Sequence, residues 1–521
     1  MNDVVTGIMS VAAREPGRVA VVDGRGRKIT YAELARRVDT VRAAMAGRSG
    51  TVSGERGEGV LFAVRPGVEA VALALGAVAA GGTLVLADPG LAPEVLAARM
   101  TATRPGWVVA ESLLYALSGP LRGPARRRGL LLPNLRDPLP GHPVRHLYTG
   151  PWLPGVPRRA LGLSRLLRPG GGLRGTPDMS GATPPEISEI SSDQAAAVIF
   201  TSGTTARPRG VVHTRGSLAA GLELFRNAFP LGPGDIVHTD QLMLGLPALL
   251  AGATWSLPTG GDLAGDLAAR RATHTFAVPV HLDRLLRRTP RLPATLRYLL
   301  LGAAPAPPAV LRRALDAGPQ VLSVYAMTEA LPIAIASARE KLAHTGGDLL
   351  GAPLPGVGVR VAADGELFVS GPHLARCYLG EEPLTEVATG DLVRMEAGRL
   401  ILLGRKKDMI LRDGVNIYPG LYEPAVAALP GVAEAAIVGL ADPGNGDEEV
   451  VLAVVPADGY DERLLRRSLP RIVDTAALPD RVVALDALPR SGRADKLDRA
   501  ALRALVARHG HRAPAERRSG A

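Results

Sequence analysis

Residues Ala195–Gly210 read AAAVIFTSGTTARPRG. Six apolar residues give way at once to Thr201, Ser202, Gly203, Thr204 and Thr205, and then to Arg207 and Arg209. A short apolar run bounded by turn-forming residues predicts a buried strand. A strand that ends in a glycine-containing hydroxyl loop offers backbone N–H groups and hydroxyls to an anion, and Arg209 adds a fixed positive charge. The G-x-x-x-x-G-K-[ST] pattern of a Walker loop is absent, so the anion would be held in another way.

The flanks repeat the pattern of strand and helix. The spacing predicts strands at Val60–Val64, Thr83–Ala87 and Trp107–Ala110, with helices at Gly67–Ala80 and Ala92–Ala102 between them. Such alternation implies a parallel sheet covered by helices. A second series follows: strands THTFAVPV (273–280), LRYLLLG (296–302) and VLSVYA (321–326), with helices at His281–Arg288 and Ala309–Ala317. GVRVAADGELFVSG (358–371) places two alternating runs around Asp364-Gly365, a hairpin signal. From about Gly404 the chain carries strands and helices enough for a small domain of its own, including EAAIVGL, EVVLAVVP and RVVALDA. Residues 117–190 are rich in Pro, Gly and Arg, and GTPDMSGATPPEISEI (175–190) reads as an exposed linker.

A chain of 521 residues exceeds one ordinary core, so several domains are expected. With 46% hydrophobic but only 3% aromatic residues, its cores must be Leu, Val and Ala. A single cysteine, Cys377, excludes an intramolecular disulfide framework and a thiolate zinc site. Ala70–Ala87 is 18 residues without a charge, but Gly81-Gly82 divides it, and helix, turn and strand fit better than a membrane span. The N-terminus has no basic stretch followed by an apolar one, so the expected location is cytoplasmic. Thirteen arginines face only Glu111 and Asp137 between Arg99 and Arg174, a local excess as large as the net +11 of the chain. This is read as an arginine-rich surface loop, with a docking surface for an acidic partner, a phosphate tail or a membrane face as the sharper alternative.

Four further stretches carry chemistry. VYAMTEA (Val324–Ala330) ends a predicted strand with an aromatic ring, a hydroxyl and a carboxylate, suited to a purine, a phosphate and Mg2+. ATGDLV places Asp391 after a tight turn, where a carboxylate could accept two ribose hydroxyls. GRKKDMILRDGVNIYPG puts Arg405 at the start of the last domain. LPRSGRADKLDRAAL supplies Lys496 in a glycine-containing, flexible stretch. Only five lysines occur among 61 basic side chains (Lys28, Lys341, Lys406, Lys407, Lys496), so a retained Lys496 suggests a need for a compact ammonium.

Taken together, in this order, these motifs resemble the adenylate-forming superfamily of acyl-CoA synthetases, luciferases and peptide-synthetase adenylation domains. The resemblance implies an α/β fold: a large N-terminal domain of α/β-layered subdomains with a small β-barrel-like part (1–403), then a small, mobile α+β C-terminal lid (404–521). It implies that Thr201, Ser202, Gly203, Thr204, Thr205 and Arg209 bind the ATP phosphates, with Thr201 and Glu329 on Mg2+. Tyr325 would stack on adenine and Gly302, Ala303 and Ala304 of GAAP would line it. Thr328 would contact the α-phosphate, Asp391 and Arg405 the ribose, and Lys496 would act during adenylation. Lys407 matches the residue about which the small domain rotates. Departures are Ala206 and Ala326 for usual glycines, Arg209 for a usual lysine, Asp495 for a usual glycine, and no histidine at the expected place in HTDQLMLGLPALL.

The implied activity is ATP-dependent activation of a carboxylic acid through an acyl-adenylate, followed by transfer to coenzyme A or a carrier-protein pantetheine. An apolar, fatty-type acid would lie near Phe276–His281, Gly302–Pro305 and Tyr325–Pro332. The alternatives are a β-lactone synthetase closing a β-hydroxy acid on its own hydroxyl, and a non-catalytic nucleotide-binding relative with a basic docking surface. No specific nucleic-acid partner is expected; an acyl carrier protein and a peripheral membrane contact are the further candidates.

Overall fold

The structure is a computed structural model that describes residues 3–46, 58–86, 93–127, 132, 134–168, 190–200, 209–412, 415–441, 448–491 and 495–509. The loop Thr201, Ser202, Gly203, Thr204, Thr205 and the linker stretch 175–189 lie outside the described residues.

Two eight-stranded sheets carry the α/β layers. The sheet containing Ala195–Phe200 runs in the order Cys377–Tyr378, Gly210–Thr214, Ala195–Phe200, Gly82–Leu86, Glu58–Ala63, Trp107–Glu111, Arg145–Thr149, Leu161–Gly162. Its strands are parallel except at the first two pairings, where Gly210–Thr214 lies antiparallel to both neighbours. The other sheet runs Ala330–Ser337, Gln320–Met327, Tyr298–Leu301, His274–Ala277, Ile236–His238, Thr254–Ser256, Val19–Val22, Lys28–Thr30, with antiparallel pairs only at the two edges.

The charge-free run Ala70–Ala87 shows why apolarity alone misleads. Its helix, Val68–Ala79, packs one face against each of the two sheets. Val68, Val71, Ala72, Leu75 and Ala79 pack in one core cluster with Val21 and Trp255. Ala70, Leu73 and Ala77 pack in another with Val60, Phe62 and Trp107. Both faces are therefore buried, so the helix has no polar face. Gly81, at φ +84, makes the turn into the strand Gly82–Leu86. Among the described residues no helix is long and apolar enough to cross a membrane.

A third sheet of five antiparallel strands takes the order Asp348–Gly351, Arg399–Arg405, Val387–Glu396, Glu366–Ser370, Gly358–Val361. The hairpin expected at 358–371 is its outer pair. Beyond it, Val432–Ala441, Glu448–Pro456 and Arg481–Ala484 form a three-stranded sheet. Alternate residues of its strands enter two cores: Ile437, Val450, Leu452 and Val454 on one face, Ala436, Val438, Val451 and Ala453 on the other. The fold is thus mixed α/β, with a large N-terminal and a small C-terminal part.

Several expectations need correction. The strand at 273–280 stops at Ala277, and Pro279-Val280 instead begin the helix Pro279–Arg288, since proline suits a first helical turn and cannot donate within a sheet. Asp391 does not follow a turn. It sits inside the strand Val387–Glu396, just after Gly390 at φ +69, and pairs directly with Arg405. In the stretch expected to be flexible, Lys496–Leu497 pairs with Arg490–Ser491 as a small antiparallel ladder. Residues 117–168 hold two strands and short helices that the Pro- and Gly-rich sequence hides.

Candidate active site

The strands His274–Ala277, Tyr298–Leu301 and Gln320–Met327 are parallel and in register, with Ala277, Leu301 and Ser323 side by side. Their carboxyl ends therefore open at one edge, where ligands enter open α/β sheets. Phe276 and Tyr325, still on their strands, and Gly302 and Ala303, just past Leu301, lie at these ends. Gly302 has no room for a side chain of ordinary clearance, because a Cβ would meet the Phe276 ring at 3.0 Å. Ala303 takes φ +69, a conformation rare for a residue with a side chain, and is exposed at this edge while Ala304 is half-buried.

Tyr325 donates its hydroxyl hydrogen to Asp391 Oδ2 at 2.6 Å. Asp391 is 3% exposed, and its Oδ1 lies 2.6 Å from Arg405 Nε without an aligned hydrogen bond. One buried carboxylate oxygen is thus left with acceptor capacity, which costs free energy unless a ligand supplies a donor. Burial pushes the Asp391 pKa above its ordinary value, against the pull of Arg405, Tyr325, Lys496 and Lys407. Burial also raises the Tyr325 hydroxyl, with Asp391 adding to the effect. Lys496 is the fourth member of this cluster. Desolvation and then repulsion from Arg405 lower its pKa, Asp391 opposes them, and Lys407 adds to the lowering.

A second group surrounds the turn between Gln320–Met327 and Ala330–Ser337. Three contacts fix that turn. Buried His213 donates from Nε2 to the Thr328 carbonyl at 2.7 Å, and Ala375 N–H donates to the Glu329 carbonyl at 2.8 Å. The Tyr378 hydroxyl donates to Glu329 Oε1 at 2.9 Å. Because the carbonyl must accept, the neutral His213 carries its hydrogen on Nε2 and Nδ1 faces the Ser217 hydroxyl at 3.3 Å. Arg209 stands at the end of the Ala195–Phe200/Gly210–Thr214 connection. Its guanidinium lies 3.5 Å from the Tyr378 ring centre and 3.0 Å from Glu381. Burial, then the bond to Glu329, pushes the Tyr378 pKa to about 12, so it stays a donor.

The structure thus brings Tyr325, Asp391, Arg405 and Lys496 into one cluster, and Thr328, Glu329 and Arg209 into another joined to it through the strand Gln320–Met327. Tyr378, Glu381 and His213 were missed from sequence. One signal was available for Tyr378: it lies between Gly371 and Gly380 in a chain with only nine tyrosines.

Among the described residues no group of three or more metal-ligating side chains occurs. The buried Glu329 carboxylate is nevertheless what a Mg2+–phosphate complex takes from a protein, since Mg2+ keeps waters and phosphate oxygens and needs only one or two carboxylates.

Residues 9–379 match the model of the AMP-binding enzyme family, and residues 422–494 that of the AMP-binding enzyme C-terminal domain. A 2-succinylbenzoate–CoA ligase of Bacillus mycoides (strain KBAB4) is 31% identical over 350 residues, covering 61% of this chain and 72% of the relative. A feruloyl-CoA synthase of Amycolatopsis sp is 32% identical over 370 residues, covering 64% and 74%. In three dimensions the chain is similar to the amide bond synthetase McbA from Marinactinospora thermotolerans, with a TM-score of 0.77 at 24% identity over 96% of this chain and 99% of that one. The chain therefore belongs to the AMP-binding enzyme family, whose acid–thiol ligases work with ATP, Mg2+ and coenzyme A.

Proposed function

We propose that the protein activates a carboxylic acid with an apolar body, aryl or alkyl, as its acyl-adenylate and transfers the acyl group to coenzyme A. The observation that carries this reading is the convergence of Tyr325, Asp391, Arg405 and Lys496 from separate segments on one crevice edge. Asp391 Oδ1 and Arg405 are suited to the ribose hydroxyls, and the Tyr325 ring to the purine beside Gly302, Ala303 and Ala304. Thr328 would face the α-phosphate. Glu329 would hold Mg2+, which neutralises phosphate charge when bound. Thr201, Ser202, Gly203, Thr204, Thr205 and Arg209 are proposed for the phosphates, with Thr201 also near the metal.

The chemistry asks little covalent work of the protein. The substrate carboxylate attacks the α-phosphorus, and pyrophosphate leaves. Charge grows on the phosphate oxygens, and Lys496 supplies an ammonium there. Preorganised charges of this kind are commonly worth about 10²–10³ in rate. The thiol of coenzyme A then attacks the acyl carbonyl and AMP leaves. We place the boundary at 404, with the lid carrying Lys496 on the far side.

The relatives above act on aryl acids by name, and Phe276, Val278, Met327 and Leu331 are half-buried apolar side chains at or beside the crevice edge. An acid panel spanning aryl-propenoic, arylacetic and alkyl chains, assayed for pyrophosphate exchange with and without coenzyme A, tests the reading. Acid-dependent exchange, thioester formed only with coenzyme A, and a loss of about a hundredfold or more in Lys496→Ala are expected. Exchange with no thioester would remove the thiol step, and no exchange with any acid would remove the whole proposal.

A further inference from the structure

Lys496 is an exposed side chain on a short edge ladder. Arg405 and Lys407 lower its pKa and Asp391 raises it, after the lowering by desolvation. The ladder that carries it is two residues long. So short a ladder does not by itself hold the lysine in place.

The residue just before it supplies that hold. Asp495 takes φ +49, in the left-handed region that Asp tolerates better than most side chains. This turns its two polar ends in different directions. Its carbonyl accepts from Arg490 Nη1 at 3.0 Å, closing the ladder on itself. Its carboxylate Oδ2 accepts from Arg284 Nη2 at 3.1 Å. Arg284 belongs to the helix Pro279–Arg288, which follows directly on the strand His274–Ala277 at the crevice edge. The bond therefore runs from the lysine-bearing ladder to an element that frames the site.

We propose that Arg284 and Asp495 are a positioning pair: their ion pair ties the ladder that carries Lys496 to the helix Pro279–Arg288 at the crevice edge and so fixes where the lysine points. The proposal rests on the reading of Lys496 given under Proposed function. Neither residue touches the reacting atoms; both act through Lys496. Arg284 is 63% exposed and Asp495 29%, so the pair is solvated and its effect is modest.

The test compares wild type with Arg284→Gln, Asp495→Asn, Arg284→Lys and the double variant Arg284→Gln/Asp495→Asn. Asparagine keeps the left-handed backbone accessible while removing the charge. Exchange of pyrophosphate at saturating ATP should fall roughly two- to fivefold in Arg284→Gln and Asp495→Asn, with the ATP KM unchanged within about twofold. The double variant should be no slower than either single one, and Arg284→Lys should recover most of the rate. On a Lys496→Ala background Arg284→Gln should change nothing, because the lysine it positions is gone. In the ligand-free protein the Lys496 and Leu497 amides should exchange hydrogen faster in Arg284→Gln. Undiminished exchange of pyrophosphate in Arg284→Gln would overturn the proposal, as would an equal loss on the Lys496→Ala background. If wild type itself shows no acid-dependent exchange, it is the proposed function that fails, and the amide exchange still decides whether the pair holds the ladder.

Discussion

The eight-stranded sheet built on Ala195–Phe200 has two unlike ends. At one, Gly210–Thr214 and Cys377–Tyr378 carry side chains with fixed partners: His213 on the Thr328 carbonyl, Tyr378 on Glu329, Arg209 on the Tyr378 ring and Glu381. At the other, around Arg145–Thr149 and Leu161–Gly162, Arg122, Arg127, Arg136, Arg158, Arg159, Arg165 and Arg168 are exposed, as is Trp152 at 58%. Seven of the thirteen arginines between Arg99 and Arg174 are exposed at the second end. The functional geometry is at the first. Burial forces a polar group to find a partner and so fixes its direction, whereas an exposed cation is satisfied by water from any side. Net charge therefore says little about where the chemistry is.

The largest contrast should come from Asp391. It is the buried carboxylate on which Tyr325, Arg405 and Lys496 converge. Asp391→Asn keeps the shape and removes the charge. Hydrogen bonds to charged acceptors contribute about 1.5–3 kcal/mol, so the ATP KM is expected to rise roughly tenfold to a hundredfold. Equilibrium binding of ATP by calorimetry checks this without the acid. An unchanged affinity would detach Asp391 from the nucleotide.

Acid should act on the partnered end as a whole. His373 is 1% exposed, and neither ring nitrogen has a hydrogen-bond partner among the described residues. Burial, and then the nearby His213, hold its pKa down at about 4 from 6.5. The folded state thus favours the neutral ring. The stabilisation is fully present above pH 6.5 and is lost progressively as pH falls to about 4, by which point the loss is roughly 3 kcal/mol. His213, with Glu329 beside it, titrates in the same direction, so the comparison must be differential. Urea midpoints at pH 7 and near pH 4.5 should separate more for wild type than for His373→Leu. Equal separations would mean that the ring is charged or solvated.

A smaller effect is expected for His213→Leu. The side chain fits an apolar surround, but the Thr328 carbonyl loses its donor. An unsatisfied buried acceptor costs about 1–3 kcal/mol, which denaturant unfolding at pH 7.5 measures. The loss should extend to catalysis, because Thr328 and Glu329 share the released turn. A stability loss without any change in pyrophosphate exchange would show that the turn is held well enough by Ala375 and Tyr378.

The difference between the ends also explains what could be read in advance. Local patterns sufficed for the strand Ala195–Phe200, the helix Val68–Ala79 and the hairpin at 358–371, because each has its own periodicity and turn signal. Pairings between distant segments left no local trace. Nothing near Val19–Val22 announces that it lies parallel to Thr254–Ser256, and nothing near Arg215 announces its buried ion pair with Asp3 at 2.8 Å. In the site, Asp391, Arg405 and Lys496 stood out as motif residues. Their mutual contacts, and the roles of Tyr378 and His213, depend on which strands become neighbours. The proline- and glycine-rich stretch 117–168 concealed real strands because Arg145–Thr149 is stabilised by its parallel partner Trp107–Glu111 and not by a pattern of its own.

The smallest effect is expected at the basic end, and it is the one that bears on a binding role there. Arg158 and Arg159 are exposed and adjacent, near the strand Leu161–Gly162 and across five strands from Gly210–Thr214. Replacing both by Ser should shift stability by no more than about 0.5 kcal/mol and leave pyrophosphate exchange unchanged. The informative measurement is retention on heparin or on vesicles of anionic lipid as salt is raised. If the surface is only solvated charge, the variant and wild type elute apart by the small amount that two lost cations predict, and both are released at modest salt. If wild type is held to high salt and the variant is not, these arginines belong to a docking surface, and the two ends of the sheet divide binding and chemistry between them.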